Sequence, residues 1–165
     1  MRLFAVLTAT TVLVAPAAAA DRVLSGAQPA WVIDNKVPAP PTGEPTMPVD
    51  ILLSDQQAFL EPGRTSIFSR QVLRIATVEG LVAGNISLPW RPDKDSITVH
   101  SLKIIRGNEV VDILARGQTF SVLRRETNLE NAMLDGVLTG NIQPEGLQVG
   151  DTLELSYTLT SQDPV

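Results

Sequence analysis

The chain has 165 residues, no cysteine, a single histidine and a net charge of −5. That length fits one domain, and the lack of cysteine excludes disulfides, zinc–thiolate sites, thiol nucleophiles and a lipid-modified cysteine. The acidic balance disfavours nucleic acid and anionic lipid surfaces as partners.

Residues 1–20 read as a secretory signal peptide. Arg2 supplies the positive end, and residues 3–14 form an apolar run interrupted only by threonines. Ala18 and Ala20 offer the small side chains at −3 and −1 that a signal peptidase accepts. Cleavage is expected after Ala20, so the exported chain begins at Asp21 and, without Arg2, is one unit more acidic. The apolar core is much shorter than the ~20 residues of a spanning helix, and no other stretch of the sequence is a candidate span.

Residues 21–49 are expected to form an extended arm. Pro38, Pro40, Pro41, Pro45 and Pro48 forbid helix and ladder pairing there. The arm has one large apolar cluster, Trp31-Val32-Ile33. Trp31 either anchors the arm on the body or stands exposed on a disordered arm.

Over residues 50–165 the texture becomes that of short Val, Ile, Leu and Thr runs separated by Gly, Pro, Asn and Asp. A strand over 51–59 leads into Pro62-Gly63, the centre of a type II turn. The returning strand, 65–76, offers Ile67, Val72, Leu73 and Ile75 as core, with a bulge where its phase slips. Residues 85–90 form a short strand that Pro89 places at an edge. Residues 96–106 and 109–114 pair through the primed turn Gly107-Asn108. A strand follows over 118–126, helical leanings over 126–133, and another strand over 137–142. After Gly150-Asp151 comes a strand over 152–160. Its Leu153, Leu155, Tyr157 and Leu159 alternate with Glu154, Ser156 and Thr158, the pattern of a sheet with one wet face. This succession predicts an all-β fold of mainly antiparallel, sandwich-like sheets.

Chemistry is sparse. A hydrolytic triad needs a nucleophile, a base and an orienting acid, yet the one histidine, His100, falls mid-strand. There is no G-x-S-x-G elbow, no phosphate loop and no histidine pair at metal spacing. His100 therefore reads as an exposed or hydrogen-bonded strand residue. Asp50, Asp93 and Asp95 are too scattered for a calcium site, and 93–95 reads as a solvated turn. No catalytic, cofactor-binding or metal-binding residue is assigned, and no cofactor is expected. The surface candidates are Arg106, Arg124, Arg125, Glu126 and Trp90. The arginines suit a carboxylate clamp or cross-strand ion pairs with Asp112, Glu126 or Glu154, the latter favoured. Trp90 with Trp31 suits an aromatic platform, with core packing of one or both the stronger reading.

One ordered series of segments stands out. It runs from Leu52-Leu53-Ser54-Asp55-Gln56-Gln57 through Leu88-Pro89-Trp90 to Val99-His100-Ser101-Leu102-Lys103-Ile104-Ile105-Arg106. Asp112-Ile113-Leu114, Arg124-Arg125-Glu126 and Leu134-Asp135-Gly136-Val137-Leu138-Thr139 follow. Val149-Gly150-Asp151-Thr152-Leu153-Glu154-Leu155-Ser156-Tyr157 closes it. In this, residues 50–165 resemble the domain of unknown function 3857, a bacterial exported β-domain. The resemblance implies a module at the N-terminus of a longer protein, followed in cis by a transglutaminase-like domain with a Cys-His-Asp site. It implies a periplasmic location and no catalytic residues in the module itself. The family pattern continues past 161–165, so an N-terminal portion or a truncated member is expected, with an unpaired edge or an uncovered apolar face. The expected function is a non-catalytic module that positions or recruits a protein or peptide substrate. A free-standing periplasmic binding or interaction protein is the alternative, and an enzyme resting on His100 with carboxylates is the least supported.

Overall fold

Two hairpins organise the larger sheet. In the computed structural model, which describes residues 21–124 and 136–162, β2 (Val49–Glu61) turns through Pro62-Gly63 into β3 (Arg64–Ile75). Gly63 takes a φ of 70°, as the third position of a type II turn requires. Glu61 and Arg64 face each other at the closing pair and form an ion pair at 3.5 Å. The second hairpin joins β5 (Asp95–Arg106) to β6 (Glu109–Asp112) through Gly107, at a φ of 58°. The strand β9 (Thr152–Ser161) lies between β3 and β5 and pairs antiparallel with both. A short β1 (Leu24–Ser25) adds in parallel to β5, giving the order β1-β5-β9-β3-β2 with β6 alongside β5. A smaller sheet stacks on it: β4 (Ile86–Trp90), β8 (Leu138–Ile142) and β7 (Ser121–Arg124), with β8 central. The chain is all-β, and Pro89 sits on the edge strand where its missing N–H leaves no bond unmade.

The core lies between the sheets. Leu153 and Leu155 of β9 join Ile97, Val99, Leu102 and Ile104 of β5 against Ile86, Leu88 and Trp90 of β4 and Leu138 and Ile142 of β8. The β5 residues change parity because the register shifts between Val99 and Ser101. This bulge keeps Ile97 and Val99 before it, and Leu102 and Ile104 after it, on the core face. His100 is the residue it extrudes.

The smaller sheet covers only the β5–β9 side. On β3, Phe68, Val72 and Ile75 are buried, whereas Ile67 and Leu73 are only half-buried. The phase slip expected in β3 belongs to its partner, since the register shifts between Ile51 and Leu53 of β2. The edge strand β2 leaves Ile51 and Leu60 exposed. A 3-10 helix, Val78–Gly84, was not foreseen. It packs so closely on the chain that a Cβ at Gly80 would lie 2.0 Å from the Pro48 carbonyl oxygen. The strand expected over 109–114 is shorter, ending at Asp112, and that expected over 118–126 begins only at Ser121, its last two residues lying outside the described ones. Asp112 starts a turn by accepting a hydrogen bond from the Ala115 amide. The helical leanings over 126–133 lie outside the described residues.

The expected wet face of β9 is covered. Ser156 and Thr158 are 2% and 5% exposed, because a central strand has two faces to cover and the arm roofs the second. The arm begins as β1, a ladder pairing not expected of this segment, and then runs extended. Trp31 anchors it, stacking on Phe59 with ring centroids 5.4 Å apart. The Gln57 side chain accepts from the Ile33 amide at 2.9 Å and donates to the Ile33 carbonyl at 2.7 Å. Arg70 donates to the Asn35 carbonyl and Arg74 to that of Pro41, both at 3.3 Å. Most of these contacts hold backbone, so they ask for an extended chain more than for particular side chains. Gln57→Ala should therefore loosen the arm without unfolding the sheets: limited proteolysis within 26–41 should speed up several-fold while the far-UV spectrum is unchanged, a local opening of about 1–2 kcal/mol.

Candidate functional site

The residues singled out from sequence do not converge. Arg106, at the end of β5, is fully engaged with Asp151. Its Nε and Nη2 donate to the two carboxylate oxygens at 2.7 Å each, and Nη2 also donates to the Gly146 carbonyl at 2.9 Å. Asp151 is buried and also accepts from the Gln148 amide at 2.8 Å. The hydrogen bond from Arg106 holds the Asp151 carboxyl below the usual carboxylate range, against the opposing effect of burial. The same bond raises the guanidinium further. Arg106 does form an ion pair, and its partner among the described residues is Asp151, not Asp112 or Glu154, while Glu126 lies outside them. This is a clamp between the end of β5 and the entry to β9. Arg124 is exposed at the end of β7, opposite Leu138. Trp90 is 2% exposed and belongs to the core, which removes it from the surface candidates. Arg125, Glu126, Ala18 and Ala20 lie outside the described residues, and Asp21 is the first within them. Asp95 is buried, not solvated: it accepts from the Arg91 amide at 3.1 Å and from the Ser161 hydroxyl.

What the fold does bring together lies beneath the arm. Arg70 of β3, Ser156 of β9 and Ser101 of β5 stand in one cross-strand row. Lys103 and Glu154 stand in the next. With Asp34-Asn35-Lys36 of the arm and His100 at the bulge, they line an open polar cavity of about 510 Å³. Arg70 is pinned at its tip: Nη2 lies 3.3 Å from Glu154, and Nη1 contacts the Asn35 carbonyl and lies 4.0 Å from Asp34. Its Nε is buried and has no hydrogen-bond partner among the described residues, and the same is true of the Ser101 hydroxyl. Both atoms are closed off from solvent, so they are unpaired donors packed in the fold beside the cavity and are not exposed in it.

His100 belongs to this cavity but is not a free base. Its Nδ1 lies 3.0 Å from the Gly26 carbonyl oxygen and its Nε2 2.7 Å from the Thr158 hydroxyl. A carbonyl only accepts, so Nδ1 carries a proton, and in the neutral ring Nε2 then accepts from the Thr158 hydroxyl. The ring also stacks on Phe68 at 6.0 Å. Among the described residues no group of three His, Asp or Glu side chains is placed to hold a metal ion. No helix among them is long and apolar enough to cross a membrane. The arrangement offers hydrogen-bonding and charged groups.

Sequence reading missed this site because it assigned Glu154 and Ser156 to solvent. One signal was available. The apolar positions 97, 99, 102 and 104 change parity across His100-Ser101, which marks a bulge, and bulges often re-aim side chains beside functional sites.

The profile of a Domain of Unknown Function with solved structure, DUF3857, matches residues 61–165. Among solved structures, that of a putative protease from Parabacteroides distasonis ATCC 8503 superposes with a TM-score of 0.62 at 15% identity. The match covers 71% of this chain and 24% of that one. At that identity the likeness is one of fold, and the chain spans about a quarter of the length of the structure it matches. No curated protein matches the chain.

Proposed function

The chain belongs to the DUF3857 family, and on that premise we propose that it is a non-catalytic exported β-module. It would position or recruit a protein or peptide substrate for a transglutaminase-like, cysteine-dependent domain in cis, in the periplasm. The observation that carries this reading is the open polar cavity beside the arm, whose histidine is engaged at both ring nitrogens. The sequence supplies no cysteine to serve as nucleophile. The fold match points the same way, because the shared part is 24% of that chain and most of that protein lies outside it.

The test has two parts. The native reading frame is followed past the codon for Val165, and the exported product is weighed intact. A frame that runs on into a Cys, His and Asp constellation, with a product starting at Asp21, is the expected result. A stop codon directly after Val165, with a mass matching residues 21–165, removes the domain in cis and sinks the reading. So does peptide or amide hydrolysis by the purified chain that His100→Ala abolishes.

A further inference from the structure

We propose that the arm occupies a peptide-binding track as a stand-in, and that an extended segment of another polypeptide, carrying an aromatic side chain, takes its place. It rests on the reading of the chain as a module that recruits substrate, and it names the surface and the class of ligand.

The track holds backbone. Gln57 of β2 and Arg70 and Arg74 of β3 donate to the carbonyl oxygens of Ile33, Asn35 and Pro41. Gln57 also accepts from the Ile33 amide, so its side-chain amide pairs with the arm as a neighbouring strand would. The arm's own side chains take little part. Ile33 is 71% exposed and Val37 36%, and all of residues 33–41 are exposed. Trp31 is the exception, stacking on Phe59 two residues before the doubly bonded Ile33. A surface that holds backbone and one ring asks two things of a ligand. It must be an extended chain with an aromatic residue, and the second residue after that must keep its N–H.

The arm also fits its track incompletely. A strap with a purely structural role closes on what it covers, because protein interiors pack like organic crystals. Here an open polar cavity of about 510 Å³ remains, lined on one side by arm residues 34–37 and on the other by Arg70, His100, Lys103 and Glu154. Its size is that of a small-molecule site, which leaves room for a bulkier chain than the arm. Residues 42–48, which join the arm to β2, are exposed and belong to no strand or helix. Residues 29–41 can therefore lift away while β1 and β2 stay paired.

A dye-labelled, end-capped peptide of residues 29–41, followed by fluorescence polarisation, tests this against the chain that begins at Asp21. Trp31→Ala in the chain weakens the resident arm and leaves Phe59, Gln57, Arg70 and Arg74 in place. The peptide should bind this variant about five-fold more tightly than wild type, because the apparent Kd is the intrinsic one divided by the open fraction of the track. Ile33→Pro in the chain removes the N–H that Gln57 accepts and is a second loosened variant, should Trp31→Ala fail to fold. The same Ile33→Pro change in the peptide should weaken its binding on the order of ten-fold, whereas a peptide with Lys36→Ala and Val37→Ala should bind like its parent. The proposal is overturned if the peptide binds neither loosened variant at millimolar concentration or binds them no better than wild type. It is also overturned if Ile33→Pro leaves the peptide's affinity unchanged, or if Lys36→Ala with Val37→Ala abolishes it. None of these titrations involves a downstream domain, so their failure and that of the proposed function are told apart.

Discussion

Trp90→Ala should lower the unfolding free energy by about 3–5 kcal/mol and the Tm by on the order of 10 °C. The indole closes β4 opposite Leu138 and is 2% exposed. It rests on bare backbone: a Cβ at Gly140 of β8 would lie 3.4 Å from the ring, 2.5 Å from Val23 and 3.5 Å from Phe120. The glycine thus makes the seat, and the arm and the β7 entry close its sides. Removing the ring leaves a cavity between sheets that cannot collapse without moving both, which puts the cost at the upper end for a core substitution. Urea titration followed by far-UV circular dichroism checks this without relying on tryptophan emission. Trp31→Ala makes the contrast. It loses a stack at the surface, about 1 kcal/mol, and a loss as large as that of Trp90→Ala would mean the arm belongs to the core.

The strands were largely legible because turn chemistry and period-two alternation are local. Pro62-Gly63 and Gly107-Asn108 fix two hairpins by backbone preference alone, and the runs beside them have little alternative. What failed depends on which faces are covered. Glu154, Ser156 and Thr158 alternate like a solvated face, yet β9 is central and the arm lies over it. Nothing in residues 26–41 declares a docking partner, since the contacts at Ile33, Asn35 and Pro41 are to backbone. Ile67 and Leu73 were expected in the core by hydrophobicity, but the smaller sheet does not reach β3. The partner of Arg106 was hidden for a related reason. Proximity in sequence drew attention to Arg124-Arg125-Glu126. Arg106 found its partner 45 residues away, at a turn that had been read for its glycine. The candidate site draws on β3, β5, β9 and the arm, so it exists only after the sheet order is set.

Asp151→Ala should cost about 2–3 kcal/mol at neutral pH. The carboxylate is buried, 1% exposed, and accepts three hydrogen bonds, two from Arg106 and one from the Gln148 amide. The guanidinium is 44% exposed and turns to water when its partner is lost, which keeps the cost below that of a fully buried pair. Arg106→Met should be the more damaging change, because the carboxylate left behind has no such escape. The pH dependence follows from the lowered carboxyl of Asp151. The unfolded chain takes up this proton at an ordinary carboxylate pH, near 4, while the folded chain resists until lower pH. The stabilisation is therefore complete above that ordinary value and is lost as pH falls through the depressed one. Urea titrations at neutral pH and at successively lower pH should show the gap between wild type and Asp151→Asn closing on the acid side. A gap that stays constant with pH would mean that the pair is held by packing and that charge contributes nothing to it.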